Sequence, residues 1–511
     1  MRAHRTKLLA GAVALVLTAC GSGDSSDTTT AGGWDDEYTE ATTASDDGWS
    51  TETTAAAYPD VEFEGDEPAE PEITDVDELS TFALDVDTAA YTIGRTYLVD
   101  GNLPDPESVR VEEYVNFFAQ DYPVPERGFS ITVDGGPTPF VDEYTRVLRI
   151  GLRAEDLESR PDTNLVFVID TSGSMEEGGR LEIVKHSLEM LVDQLRPDDT
   201  VTIVEFGSEA SLVLGPTWGE DKGEISDAIR TLRPIGATNF EDGLRLGYDA
   251  ADQLHESGGS TRVIVASDGV ANRGLTDESG LVEMIRRDAD RGITLVTVGV
   301  GMGNYNDVLL ETLADDGDGF YAYVDTQDEA EDLFVRDLTG TLVTVAEDAR
   351  VQVAFDPDTV ARWRLVGYEN RAIADDQFRD DSVDAGEIGA GHTVTALYEI
   401  ELTDAAIDGR EDRIGDVAAR WLDPATDEPT ERSRTVYVDE LARHYRDTVP
   451  RFQQDIVVAQ FAEVLRHSGH AGAWNVSELV PYADDVADML PRDDKVQEFA
   501  ELVRMAARLE T

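Results

Sequence analysis

Between residues 161 and 342, short apolar runs alternate with longer stretches in which apolar residues recur every three or four positions. The runs 165–169, 201–206, 211–214, 263–266, 294–298 and 320–324 have the length and β-branched content of strands. Between them lie helical stripes. Leu181, Val184, Leu188, Leu191 and Leu195 form one, and Phe240, Leu244, Tyr248 and Ala251 form another. Strands alternating with amphipathic helices predict an α/β fold, a doubly wound and mostly parallel sheet covered on both faces.

The pattern differs on either side. Residues 80–158 begin with Phe82-Ala83-Leu84, continue with Val111, Tyr114, Val115 and Phe118 on one helical face, and end with Leu148, Ile150 and Leu152 in strand alternation. This strand, helix and strand set reads as an N-terminal accessory region of its own. Residues 345–445 are β-rich, with Val351, Val353 and Phe355 and then Val394, Ala396, Tyr398, Ile400 and Leu402 alternating, and read as a second accessory domain. Residues 450–511 return to helix, with Val457, Phe461, Val464 and Leu465 on one face and Val496, Phe499, Leu502 and Val503 on another. Residues 21–79 hold Thr, Ser, Gly, Asp and Glu with little apolar content. Such a segment cannot bury enough surface to offset chain entropy, and it is expected to be a disordered acidic stalk.

At the N-terminus Arg2, Arg5 and Lys7 precede an apolar run that closes on Leu17-Thr18-Ala19-Cys20. Residues 1–20 therefore read as a lipoprotein signal peptide. The tetrapeptide resembles a lipobox, which implies a lipid on Cys20, export, and attachment to the outer face of the cell membrane through that lipid alone. Cys20 is the one cysteine in the chain, which excludes disulfides and thiol chemistry in the body. With 107 Asp and Glu against 41 Lys and Arg, the formal charge is −66. A field of that sign repels phosphate backbones and excludes nucleic acid as a partner.

Candidate chemistry gathers at the ends of two predicted strands. Asp170-Thr171-Ser172-Gly173-Ser174 follows the first central strand, Thr238 precedes a helix, and Asp268-Gly269 follows the fourth strand. Taken singly, each fits a helix cap or a turn. In a sheet of order 3-2-1-4-5-6 the first and fourth strands are neighbours, about 4.8 Å apart, and ligands sit outside their carboxyl ends. Two carboxylates and three hydroxyls would then surround one point. Hard oxygen donors of this kind select Mg²⁺ or Mn²⁺ and disfavour zinc.

Asp-x-Ser-x-Ser after strand one, a Thr before a helix and Asp-Gly after strand four resemble the von Willebrand factor type A family over residues 161–342. The resemblance implies a Rossmann-like domain with a metal-ion-dependent adhesion site. Ser172, Ser174 and Thr238 would be its hydroxyl ligands, and Asp170 and Asp268 would bind directly or through water. It also implies a protein or peptide partner that supplies an Asp or Glu to the ion, and binding without turnover. The segments 84–89, 109–114, 367–371 and 384–392 resemble bacterial lipoproteins that carry such a domain between characteristic flanks.

Two further readings are carried: a structural scaffold of an envelope complex, in which the metal only stabilises, and a metal-dependent hydrolase. The second lacks a general base, since no histidine lies close in sequence to the five ligands. Asp85-Val86-Asp87-Thr88 imitates an aspartyl-phosphatase motif but continues with Ala89, and is expected to form turns and caps.

Overall fold

The computed structural model describes residues 58, 63 and 65–510, apart from 85, 158–160, 256–258, 270–277, 302–306, 332, 335–342, 382, 384, 425 and 427. The chain divides into residues 1–54 and 55–511, and the described residues all belong to the second unit. The signal peptide and most of the predicted stalk lie outside the described residues.

A six-stranded sheet runs in the order Phe320–Val324, Ile293–Val300, Ser260–Ser267, Thr163–Asp170, Thr200–Phe206, Ala210–Trp218. Numbered along the chain from Thr163–Asp170, this is 6-5-4-1-2-3, the predicted order. All pairs are parallel except the last, in which Ala210–Trp218 folds back antiparallel as an edge strand.

The central strand explains the layers. Thr163–Asp170 is buried throughout, and its side chains alternate. Leu165, Phe167 and Ile169 enter a core with Leu181, Val184, Leu188 and Leu191 of the helix Arg180–Gln194 and with Ile225 and Ile229 of Lys222–Thr231. Val166 and Val168 enter the opposite core with Phe240, Leu244, Tyr248 and Ala251 of Phe240–His255. Each such side chain contributes about 1.5–3 kcal/mol by leaving water. The edge strand is legible only as 211–214, because Gly215 and Pro216 end the apolar run.

The flanks differ from the reading as separate accessory regions. Strands from both sides of the central domain share sheets. Thr145–Ala154 lies between Phe129–Gly136 and Thr393–Leu402, and Leu79–Ala83 pairs with Thr344–Phe355. The two five-stranded sheets face each other across one core that joins Leu148, Ile150 and Leu152 to Val351, Val353 and Phe355. Periodicity marks the strands around 148–152, 351–355 and 394–402 but not Phe129–Gly136, and it carries no information about partners more than 200 residues away. The helices Val111–Asn116, Pro450–Leu465, Val476–Met489 and Asp494–Leu509 cover the outer face of one sheet, over Val147, Val366 and Leu397. The end of the predicted stalk is also corrected. Glu72–Ile73 pairs with Val360–Val366, Thr74 is buried, and the Asp77 carbonyl accepts the Trp363 indole N–H. Backbone pairing, which needs no apolar residues, orders this segment.

The helix Ala89–Val99 joins the two halves. Ala89, Ile93 and Tyr97 pack into the six-stranded domain, while Ala90, Tyr91 and Leu98 pack among the C-terminal helices. On the same helix Arg95 pairs with Asp325 at 2.5 Å, Glu329 at 3.2 Å and Glu498 at 3.3 Å. Asp87, just before the helix, is buried rather than a cap. It accepts the Tyr321 N–H at 3.1 Å and pairs with Arg371 at 3.1 Å. Burial pushes this carboxyl well above the usual range, and Arg371 opposes that shift. Arg371 also reaches Glu311, which pairs with Arg110 at 2.6 Å.

Replacing Arg371 by Leu takes the guanidinium away from buried Asp87, which keeps the Tyr321 N–H, while Glu311 keeps its pair with Arg110. The variant is expected to lose about 3–5 kcal/mol of stability, measured by urea denaturation, against less than about 1 kcal/mol for the exposed pair partner change Arg379→Leu.

Candidate functional site

The parallel register sets the end of Thr163–Asp170 beside the end of Ser260–Ser267, so Asp170 and Asp268 emerge at the same edge of the sheet. Both are buried, at 0% and 3% exposure, and Ser172 is at 1%. Asp170 Oδ1 accepts the Ser172 backbone N–H at 2.7 Å, and Oδ2 accepts the Ser267 hydroxyl at 2.6 Å. Burial nevertheless raises this carboxyl to about 6, with the bonds from Ser267 and Ser172 working against the rise. Among the described residues, Asp170 makes no ion pair.

A chain of oxygens leads from one strand end to the other. Ser172 Oγ lies 3.0 Å from Ser174 Oγ, and Ser174 Oγ donates to Asp268 Oδ1 at 3.0 Å. The other Asp268 oxygen accepts Arg180 Nη1 at 2.7 Å. Four of the five predicted residues, Asp170, Ser172, Ser174 and Asp268, are thus linked directly or through Ser267 and its neighbour in sequence. Thr238 is half-buried and makes no bond to them, but its loop is tied to theirs. The Thr171 carbonyl accepts the Ile235 N–H at 2.6 Å, Gly173 N–H donates to the Gly236 carbonyl at 3.0 Å, and Asn239 N–H donates to Gly207 at 2.8 Å. Gly236 has φ +95°, and a side chain there would collide with Ser208 Oγ, so glycine is what lets this loop close onto the turn.

Two members of the cluster escaped sequence reasoning. Ser267 precedes Asp268, and its hydroxyl could have been noticed by adjacency to the motif. Arg180 had no local signal, since its role depends on the turn Gly173–Gly179 carrying the start of Arg180–Gln194 back across Asp268. Within that turn Met175 is fully buried and anchors it to the core, while Gly178 and Gly179 adopt φ +59° and +76°.

The donor set fits a hard divalent cation. Two buried carboxylates and neighbouring hydroxyls face one guanidinium, which leaves one negative charge uncompensated. Carboxylate and hydroxyl oxygens are hard donors of the kind that Mg²⁺ and Mn²⁺ take.

Three protein families match the chain. "Von Willebrand factor" matches residues 59–149, "von Willebrand factor type A domain" matches 165–270, and "Uncharacterized protein YfbK, C-terminal" matches 340–509. Uncharacterized protein YfbK from Escherichia coli is 38% identical over 335 residues, which are 63% of this chain and 58% of that protein. Uncharacterized protein sll0103 from Synechocystis is 31% identical over 187 residues, 36% of this chain and 43% of that protein. The chain spans about half the length of the curated relatives it matches. A solved von Willebrand factor type A structure from Catenulispora acidiphila is 15% identical, covers 74% of this chain and 90% of its own, and has a TM-score of 0.45.

Asp170 gives this site a pH signature. Its carboxyl titrates near 6 when folded and near 3.8 when unfolded, so between those values the folded chain holds a proton that the unfolded chain has released. In chelator, the stability of the native chain relative to Asp170→Asn is expected to be highest below pH 3.8. It should fall by up to about 3 kcal/mol as pH rises to 6 and stay flat above, in paired denaturation curves across pH.

Proposed function

We propose that this chain, whose residues 165–270 match the von Willebrand factor type A domain, binds an acidic protein or peptide through a Mg²⁺- or Mn²⁺-dependent site. The observation that carries this reading is the meeting of Asp170, Ser172, Ser174 and Asp268 at one sheet edge, with both carboxylates buried and one guanidinium on Asp268. Asp170, Ser172, Ser174, Asp268 and, from the adjoining loop, Thr238 would hold the ion. When bound, it supplies an electrophilic position for a carboxylate of the partner. The protein's own part is to keep these oxygens aligned through the bonds from Ser267 and the Ser172 N–H, and to hold the turn against the 234–239 loop. Ile235, 72% exposed on that loop, adds an apolar rim against which a residue next to the partner's carboxylate can pack. The function is binding, with no reaction step assigned to these residues.

A second reading, a scaffold for an envelope complex, is favoured by the buried ion pairs of Arg95 and Arg371 that fix the six-stranded domain to the rest of the chain. The two readings diverge on the metal site. Adding Mg²⁺ or Mn²⁺ at 100 times its Kd is expected to stabilise the native chain by about 2.7 kcal/mol, read as a rise in Tm at matched ionic strength. Ser172→Ala should lose most of that rise, and with it the retention of acidic partners. Partners retained at native strength by Ser172→Ala, with or without Mg²⁺, would support the scaffold instead.

We also infer that Cys20 bears a lipid that tethers the exported chain at the outer face of the cell membrane. Residues 1–57 lie outside the described residues, and among the described residues no helix is long and apolar enough to cross a membrane. Labelled fatty acid is expected to enter the native chain and not Cys20→Ala. Equal labelling of both would sink this part of the reading.

A further inference from the structure

Arg180 is the unexplained member of the cluster. Its side chain is 12% exposed and Asp268 is 4% exposed, so their 2.7 Å pair is largely screened from water. Beyond Asp268 the guanidinium has only the Ser174 carbonyl at 3.3 Å and a distant Glu177 at 4.0 Å, and its buried Nε finds no acceptor among the described residues. Gly301, at φ +81°, lies so close that any side chain there would strike Arg180 Nε and Cδ. The cation is therefore wedged into a slot, held mainly by one carboxylate, and that carboxylate belongs to the proposed metal site.

Charge counting gives this arrangement a consequence. Asp170, Asp268 and Arg180 sum to −1. A divalent ion added to them makes +1, and a partner's carboxylate returns the sum to zero. We propose that Arg180 is a built-in counter-charge that weakens binding of the divalent ion alone and so makes ion and acidic ligand depend on each other. This rests on the metal-site reading above. The physical basis is Coulombic: a guanidinium on one ligand oxygen repels a second cation at close range with little solvent between them. Coupling of this kind is reciprocal, so the ion raises affinity for a carboxylate as much as a carboxylate raises affinity for the ion. Neutralising Arg180 removes the excess positive charge and with it much of the mutual dependence.

The test is calorimetric titration of the full chain with Mg²⁺ alone, in potassium chloride and in potassium acetate of equal ionic strength. Acetate serves as the carboxylate probe. The native chain is expected to bind Mg²⁺ more tightly in acetate. Arg180→Gln is expected to bind Mg²⁺ about tenfold more tightly in chloride and to show a smaller gain from acetate. Arg180→Lys, which keeps the charge, should stay within about threefold of the native chain. Arg180→Met, which keeps the aliphatic stem beside Gly301, replaces Arg180→Gln if that variant fails to fold and should behave alike. Native binding with unchanged or weaker affinity in the neutral variants would overturn the counter-charge role while leaving the metal site standing. No Mg²⁺ binding by the native chain or any variant in either salt would overturn both.

Discussion

The constraint on which the site depends is the cost of burying two carboxylates at neighbouring strand ends. A sheet covered on both faces forces Asp170 and Asp268 out of water, and a buried carboxylate must be satisfied by hydrogen bonds or by a cation. Asp170 is met by the Ser172 N–H and the Ser267 hydroxyl, and Asp268 by Ser174 and Arg180. These bonds also order the loops. The turn after Asp170 must bend so that Ser172 N–H faces back, and that bend brings the Ser172 hydroxyl beside the Ser174 hydroxyl, which reaches Asp268. Local geometry, electrostatics and candidate function thus follow from one requirement.

The rest of the chain holds that edge in position from behind. The helix Ala89–Val99 is buried on two sides, in the core of the six-stranded domain and among the C-terminal helices. Arg95 and Arg371 add cross-links that are costly to break singly, because each removal takes a guanidinium from a buried carboxylate. Pairs of this type add little net stability over apolar residues of equal size, but they penalise any other docking of the two halves.

Within the candidate site, the residues that declared themselves in the sequence did so through spacing at strand ends. Asp170, Ser172 and Ser174 alternate along one turn, and Asp268 follows the strand that the topology sets beside it. Thr238 was legible by its place before a helix, but its loop reaches the site through backbone bonds from Gly173 and Ile235, which no side-chain pattern encodes. Arg180 was silent. A guanidinium ten residues beyond Asp170 reads as an ordinary first-turn helix residue until the buried Met175 and the left-handed glycines at 178 and 179 fold the turn over.

What the sequence alone determined was the identity of elements whose signal is local. The apolar period of two or of about 3.6 marked the six central strands, two of their helices and the flank strands around 148–152, 351–355 and 394–402, since side-chain direction is fixed by the residue's own backbone. The order of the central sheet followed the general pattern of doubly wound sheets, and the observed order matches it. Only the tertiary structure decided which distant strands pair. Leu79–Ala83 meets Thr344–Phe355 and Thr145–Ala154 meets Thr393–Leu402 across an inserted domain, and the acidic segment around Glu72–Ile73 is ordered by a strand some 290 residues away. Backbone pairing is blind to side-chain type, and charge pairing is specified by distance and burial. Neither leaves a trace in local sequence, and both become visible only when the chain has closed on itself.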